Sequence, residues 1–150
     1  MKNIILLAII ITSLNVTAQS EEMAVQKTIE TFFDGFHKQD STIMKQTVTE
    51  DPILQTIGKN KEGETLVRTD KFDKLIKSIV SIPDSVQFQE KLLSFNIQID
   101  GAMANAWTPY EFWLNDKFHH CGVNSFQLFN DGSGWKIIYL IDTRRRVGCQ

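Results

Sequence analysis

The sequence predicts an α+β domain in which N-terminal helices pack on a strongly curved antiparallel sheet. Three observations carry that expectation. Apolar residues before Ile82 recur at helical spacing, and those after Val86 alternate as in strands. Three tight-turn signals, Asp100-Gly101, Asn115-Asp116 and Asp131-Gly132, then divide the C-terminal part into a four-stranded meander. At 150 residues there is room for one domain, and ten phenylalanines can supply its core.

The first eighteen residues read as a signal peptide rather than as part of the fold. Lys2 gives a positive start, Ile4–Leu14 an apolar run too short to span a bilayer, and Val16-Thr17-Ala18 a small-residue cleavage site. No cysteine follows that site, so lipid attachment there is excluded. The expected mature domain is 19–150, exported to the bacterial periplasm or secreted, with no membrane span after cleavage. Loss of Lys2 takes the formal net charge from −2 to −3. Such a balance argues against a nucleic-acid partner, which needs a basic face. The one basic run, Arg144–Arg146, sits at a strand end and reads as solvated.

Ser20 is a good N-cap, and Val25, Ile29, Phe32, Phe33 and Phe36 form one stripe down a first helix ending near Lys38. Gly35 within that stripe implies that something packs closely against it. Asp40 caps a short second helix burying Ile43, Met44, Thr47 and Val48, and Glu50-Asp51-Pro52 ends it. Ile53–Ile57 and Thr65–Arg68 read as short strands. Thr69 or Asp70 caps a third helix with Phe72, Leu75, Ile76, Ile79 and Val80 on one side, broken by Ile82-Pro83-Asp84-Ser85. Val86, Phe88 and Leu92 are even, whereas Leu93, Phe95, Ile97 and Ile99 are odd. A β-bulge makes that change of parity and bends a sheet.

If all three turns have two residues, the register assigns the faces. An inner face then holds Ala104, Ala106, Thr108, Tyr110 and Phe112, followed by His119, Cys121, Val123, Ser125 and Gln127, and by Ile138, Leu140, Asp142 and Arg144. A turn one residue longer would exchange His119 and His120. The outer face carries Trp107, Trp113, Phe126, Trp135, Ile137 and Tyr139, too aromatic to face water, and is expected to pair with a second copy in a homodimer.

The segments AVQKTIETFFDGFHKQD, DKFDKLI, WTPYEFWLNDKFHHCGVNSFQLF and GWKIIYLIDTRR cover most of the mature chain. In them the sequence resembles the nuclear transport factor 2-like superfamily, the cone-shaped, cystatin-like α+β fold, and within it the exported bacterial proteins named lumazine-binding. The resemblance implies a pocket between concave sheet and helices, and dimerisation through the outer sheet face. It carries over no catalytic residue. The Tyr/Asp/Asp set of ketosteroid isomerase and the His/Asp pair of the dehydratases have no match here.

The expected pocket residues are Thr108, Tyr110, His119, Cys121, Asp142 and Arg144. His119 and Asp142 could act as an acid–base pair, although a solvated strand end explains both more simply. Tyr110 could donate a hydrogen bond, and Arg144 could hold an anion. Cys121 and Cys149 leave a disulfide and two free thiols equally open. There is no CxxC and no zinc spacing, so neither metal nor cofactor is expected. Three functions remain: an exported small-molecule-binding protein, a cofactor-independent isomerase, dehydratase or cyclase using the same pocket, and a dimeric interaction module whose cone is filled by its own phenylalanines.

Overall fold

The structure is a computed structural model that describes residues 19–149. The first helix, α1 (Lys2–His37), is traced from Lys2, and the leader expected over 1–18 lies outside the described residues. Ser20 therefore falls within α1 and not at its start. The chain continues through α2 (Ser41–Gln46), β1 (Val48–Lys59), β2 (Thr65–Asp70) and α3 (Phe72–Val80). It closes with β3 (Phe88–Leu92), β4 (Asn96–Asp100), β5 (Met103–Leu114), β6 (Lys117–Asn130) and β7 (Trp135–Thr143).

The strands form one seven-stranded sheet in the order β2-β1-β7-β6-β5-β3, with β4 also paired to β5. The sheet is not wholly antiparallel, because β1 runs parallel to β7. β1 is also longer than expected. It begins at Val48 and carries Pro52 where its pairing with β7 is irregular, between Val48 and Ile53. A proline lacks the ladder donor, and such a break in register is where a strand tolerates one.

Local chemistry sets the helices. Asp40 caps α2, accepting from the Thr42 and Ile43 amides at 2.8 and 3.1 Å. A Cβ on Gly35 would lie 2.9 Å from Ile43 Cγ2 and from the Met44 amide, so glycine lets α2 sit against α1. Lys71, not Thr69 or Asp70, occupies the N-cap of α3, and Asp70 instead binds Arg68 and Lys74. The α1 stripe of Val25, Ile29, Phe32 and Phe33 is buried against Phe126, Leu128 and Ile137 and the small side chains Ala104 and Ala106. Phe33 and Phe126 meet edge to face at 6.2 Å.

Bulges decide the register. One separates β3 from β4: Leu92 faces Tyr110, whereas Asn96 faces Trp107, so one extra residue lies between. The turn after Leu114 has the two expected residues, Asn115 and Asp116, both at positive φ. Three residues later His119 is skipped, because Trp113 pairs with Phe118 but Phe112 pairs with His120. From there β6 has the parity opposite to that expected from a regular hairpin. Asn124, Phe126 and Leu128 turn inward, and Cys121 turns outward. A four-residue loop joins Asn130 to Trp135, and a third bulge skips Ile138 between the pairs Leu128–Ile137 and Gln127–Tyr139.

These shifts correct several expectations. Phe126, Trp135 and Ile137 belong to the core and not to an outer face, with exposures of 0%, 5% and 1%. Trp135 donates to Glu21 on α1 at 2.9 Å. Leu140 and Asp142 still face inward, because the Ile138 bulge cancels the one at His119.

Cys121 and Cys149 form a disulfide, with Cα atoms 5.8 Å apart. Cys121 and Arg145 also exchange backbone hydrogen bonds at 3.0 and 2.9 Å, which ties the tail after β7 to β6. Closing a loop across 28 residues of separation stabilises the fold by roughly 3–4 kcal/mol in the chain-entropy account.

Gly122 is the most closely packed of the glycines. A Cβ there would lie 1.8 Å from the Thr143 carbonyl oxygen and 2.7 Å from the Tyr110 ring. Gly122→Ala is expected to cost about 3 kcal/mol or more, because backbone on one side and a buried ring on the other must both move. Urea unfolding measures this, and a loss within 0.5 kcal/mol, about what a neutral surface change gives, would contradict the packing described.

Candidate functional site

A cavity of about 570 Å³ lies between the concave sheet and helices α1 and α3. Phe32, Phe33 and Phe36 from α1 and Leu75 and Ile79 from α3 form its apolar wall, joined by Leu54 and Leu140 from the sheet. The phenylalanines of α1 line this space and do not fill it. The opposite wall is polar: Glu90 from β3, His119, His120 and Asn124 from β6, Asp142 from β7 and Arg144 just beyond it. Arg68, Asp70 and Lys74 stand at the edge nearest β2 and α3.

Asp142 is the best-connected of these groups. Its Oδ1 accepts from Thr56 Oγ1 at 2.5 Å. Its Oδ2 accepts from Arg144 Nε at 2.7 Å and lies 3.2 Å from the Tyr110 hydroxyl. That hydroxyl also lies 3.0 Å from the Thr143 carbonyl oxygen, its alternative acceptor. Burial, with Glu90 and Asp142 close by, pushes the Tyr110 phenol well above its ordinary value, so it stays neutral.

Glu90 is held differently. Its Oε1 accepts from Asn124 Nδ2 at 2.7 Å, and its own backbone N–H donates to His37 Nε2 at 2.9 Å. Among the described residues no cation hydrogen-bonds to it. Removal from bulk water, reinforced by Asp142 and opposed by the Asn124 hydrogen bond and by Arg144, pushes its carboxyl up to about 7. His37 is lowered, chiefly by burial, which fits a ring nitrogen used as an acceptor. His120 stacks on Phe112 at 4.9 Å, and its Nδ1 lies 2.8 Å from that of His119. Burial first, then Arg144 and His119, bring His120 down to about 4.

Of the residues expected to line a pocket, His119, Asp142 and Arg144 do so. Tyr110 lies beneath them, 1% exposed, and touches Asp142 without lining the cavity itself. Thr108 is fully buried, 3.5 Å from the Asn124 carbonyl, and does not reach the cavity. Cys121 is on the other side of the sheet in its disulfide, because the His119 bulge reverses its direction. Of the residues expected outside, Trp107 is exposed and Trp113 and Tyr139 are half-buried on the outer face, with Trp113 under the Lys91 ammonium at 4.2 Å.

Sequence reasoning missed Glu90 and Asn124, and reached His120 only as the alternative to His119 that a longer turn would bring inward. Glu90 had a legible signal, since it sits between Phe88 and Leu92 on the even-numbered stripe that faces inward. A lone carboxylate in an apolar stripe is the kind of residue that a pocket keeps. Among the described residues no group of three or more His, Cys, Asp or Glu side chains could hold a metal ion. No helix among them is long and apolar enough to cross a membrane.

Helices laid over a concave sheet around a hollow place the chain among cone-shaped α+β proteins. No family model matches the sequence, and no curated protein does. Solved structures do. One is a nuclear transport factor 2-like protein with a cystatin-like fold from Novosphingobium aromaticivorans, at TM-score 0.69 and 12% identity, over 91% of this chain and 90% of that one. A protein of unknown function from Mycobacterium tuberculosis matches at TM-score 0.70 and 15% identity, over 88% and 76%. A nuclear transport factor 2-like protein from Cytophaga hutchinsonii matches at TM-score 0.67 and 11% identity, over 83% and 98%. The chain therefore has the cystatin-like fold of the nuclear transport factor 2-like proteins.

Because Glu90 is raised from 4.5 in the unfolded chain to about 7, the native state binds more protons between those values. Its contribution falls as pH rises through that window and is flat above it, by about 3 kcal/mol in all. Glu90→Gln is therefore expected to gain stability relative to wild type as pH goes from 4.5 to 8. The difference between the two denaturation curves isolates Glu90 from the opposite effect of His120. A difference that stays constant across that range would show that Glu90 is as well solvated folded as unfolded.

Proposed function

We propose that this is an exported protein that binds a small, largely apolar molecule in the cavity between its helices and sheet. One observation carries the reading. The hollow is about 570 Å³, within the roughly 300–1,000 Å³ typical of ligand sites, and sets an apolar wall against a few convergent polar groups. A core whose only task was stability would not keep Glu90 and Asp142 beside open space. A second reading, a cofactor-independent enzyme working by proton transfer, draws on the Glu90 carboxyl, which near pH 7 can both give and take a proton.

The test is thermal unfolding against a panel of aromatic acids, alcohols and amines. A ligand at a hundred times its dissociation constant adds about 2.7 kcal/mol, which raises Tm by roughly 5–10 °C in a chain of this size. Ser78→Trp, which fills the cavity from α3, should abolish the shift. A panel with no effect, or shifts that survive in the filled variant, would refute binding at this place. The enzyme reading requires in addition a turned-over ligand whose bell-shaped pH profile is lost in Glu90→Gln.

The outer face of β4 to β7 supports a proposal of homodimerisation, since Trp107, Met103 and Phe129 are 53%, 57% and 43% exposed there. Export and pairing can be tested together. Protein recovered from the envelope fraction should begin at Gln19 and sediment as a dimer that Trp107→Glu dissociates. An uncut N-terminus would refute the first proposal, and a micromolar monomer the second.

A further inference from the structure

If the cavity binds a small molecule, as proposed, its free hydrogen-bonding groups narrow the ligand class. We propose that the ligand is a flat apolar carboxylic acid bound as its anion, its carboxylate paired with the Arg144 guanidinium and hydrogen-bonded by the Glu90 carboxyl in its acid form.

Of the carboxyl and guanidinium groups on the polar wall, one is already satisfied and two are not. Asp142 is occupied by Thr56 on one oxygen and by Arg144 and Tyr110 on the other, so it positions its neighbours and has little left for a ligand. Arg144 spends only Nε on Asp142, and its terminal nitrogens have no partner among the described residues while the side chain lines the cavity. A guanidinium fork with both terminal nitrogens unused suits a planar carboxylate. Glu90 uses Oε1 for Asn124, and Oε2 has no partner among the described residues. With the proton on Glu90, the polar wall offers donors to an incoming anion.

Charge points the same way. Arg68, Lys74 and Arg144 face Asp70 and Asp142 across the lining, leaving one positive charge in excess when Glu90 is neutral. An ammonium ligand would have to sit beside Arg144. A neutral alcohol would use the hydrogen bonds but leave the terminal nitrogens of Arg144 and the excess positive charge unmatched. The apolar wall, with Phe32, Phe33 and Phe36 side by side, suits a ring rather than a chain.

Binding should then be linked to a proton. The titratable and charged groups facing Glu90 are His37 from α1, Tyr110 from β5, His120 from β6, and Asp142 with Arg144 from β7 and the residues after it. His37 and His120 are lowered and Tyr110 and Arg144 raised, so that Glu90, unlike these four, changes charge near pH 7. His119→Gln serves as the control at the other imidazole that lines the cavity.

Isothermal titration of the full mature protein with 1-naphthoate, 1-naphthylmethanol and 1-naphthylmethylammonium at pH 6 and 8.5 tests this. Naphthoate is ionised at both. It should bind tightest of the three at pH 6 and roughly 30-fold more weakly at pH 8.5, the loss expected when one proton on a group titrating at about 7 is required. Glu90→Gln should bind without that pH dependence, and His119→Gln should keep it. Arg144→Gln should lose tenfold or more for naphthoate and little for the alcohol. If the alcohol or the ammonium binds as tightly as naphthoate, or if wild-type affinity for naphthoate is flat with pH, the inference falls and the binding reading stands. If none of the three binds at millimolar concentration, both fall.

Discussion

One extra residue in β6 sets the inside of this molecule. With His119 skipped, the strand after it is rotated by one position against β5, so that Phe112 meets His120 and Tyr110 meets Gly122. Period-two alternation then fixes everything downstream. Phe126 and Leu128 supply the core under α1, Asn124 reaches Glu90, and Cys121 points away from the helices toward Cys149. Gly122 is part of the same constraint, because the tyrosine ring occupies the space that any side chain there would need. A regular hairpin would put Val123 and Ser125 beneath the helices and expose two of the residues that now fill the core.

The fold class was legible because it depends on quantities that survive a one-residue error. The helical stripes of α1 and α3, the Asp40 cap, the turn at Asn115-Asp116 and the bulge after Leu92 can all be read from local chemistry. The site was less legible because face assignment is a sum of parities, and each bulge inverts it. Asp142 lies on the expected face since two inversions cancel before it, whereas Cys121, Phe126, Trp135 and Ile137 each lie after an uncancelled one. The His119 bulge follows a regular two-residue turn, so no glycine or proline marks it. Glu90 is a different case: its parity is plain between Phe88 and Leu92, and the apolar pattern on either side masks the carboxylate inside it.

The two inward carboxyls show how one sheet gives the same chemical group two characters. Asp142 sits where β7 ends, with a hydroxyl on one oxygen and a guanidinium on the other. Glu90 sits at the middle of β3, an edge strand of the sheet, with one amide donor and, among the described residues, no cation hydrogen-bonded to it, so removal from water dominates. Such a group lowers stability near neutral pH, and its presence beside a hollow fits a functional rather than a structural purpose. The disulfide offsets part of that cost and holds the tail bearing Arg144 against β6. Fold, site and tail are coupled through the same few residues of one strand.

The central claim is that the cavity keeps the Glu90 carboxyl away from bulk water and that the Asn124 hydrogen bond and the attraction of Arg144 do not offset that loss. Carbon-detected NMR of the glutamate side-chain carboxyls, with Glu90 assigned by comparison with Glu90→Gln, measures this directly. A titration midpoint near 7 is the expected result. A midpoint at the ordinary glutamate value of about 4.5 would mean a solvated side chain and would remove the polar wall on which the functional reading stands.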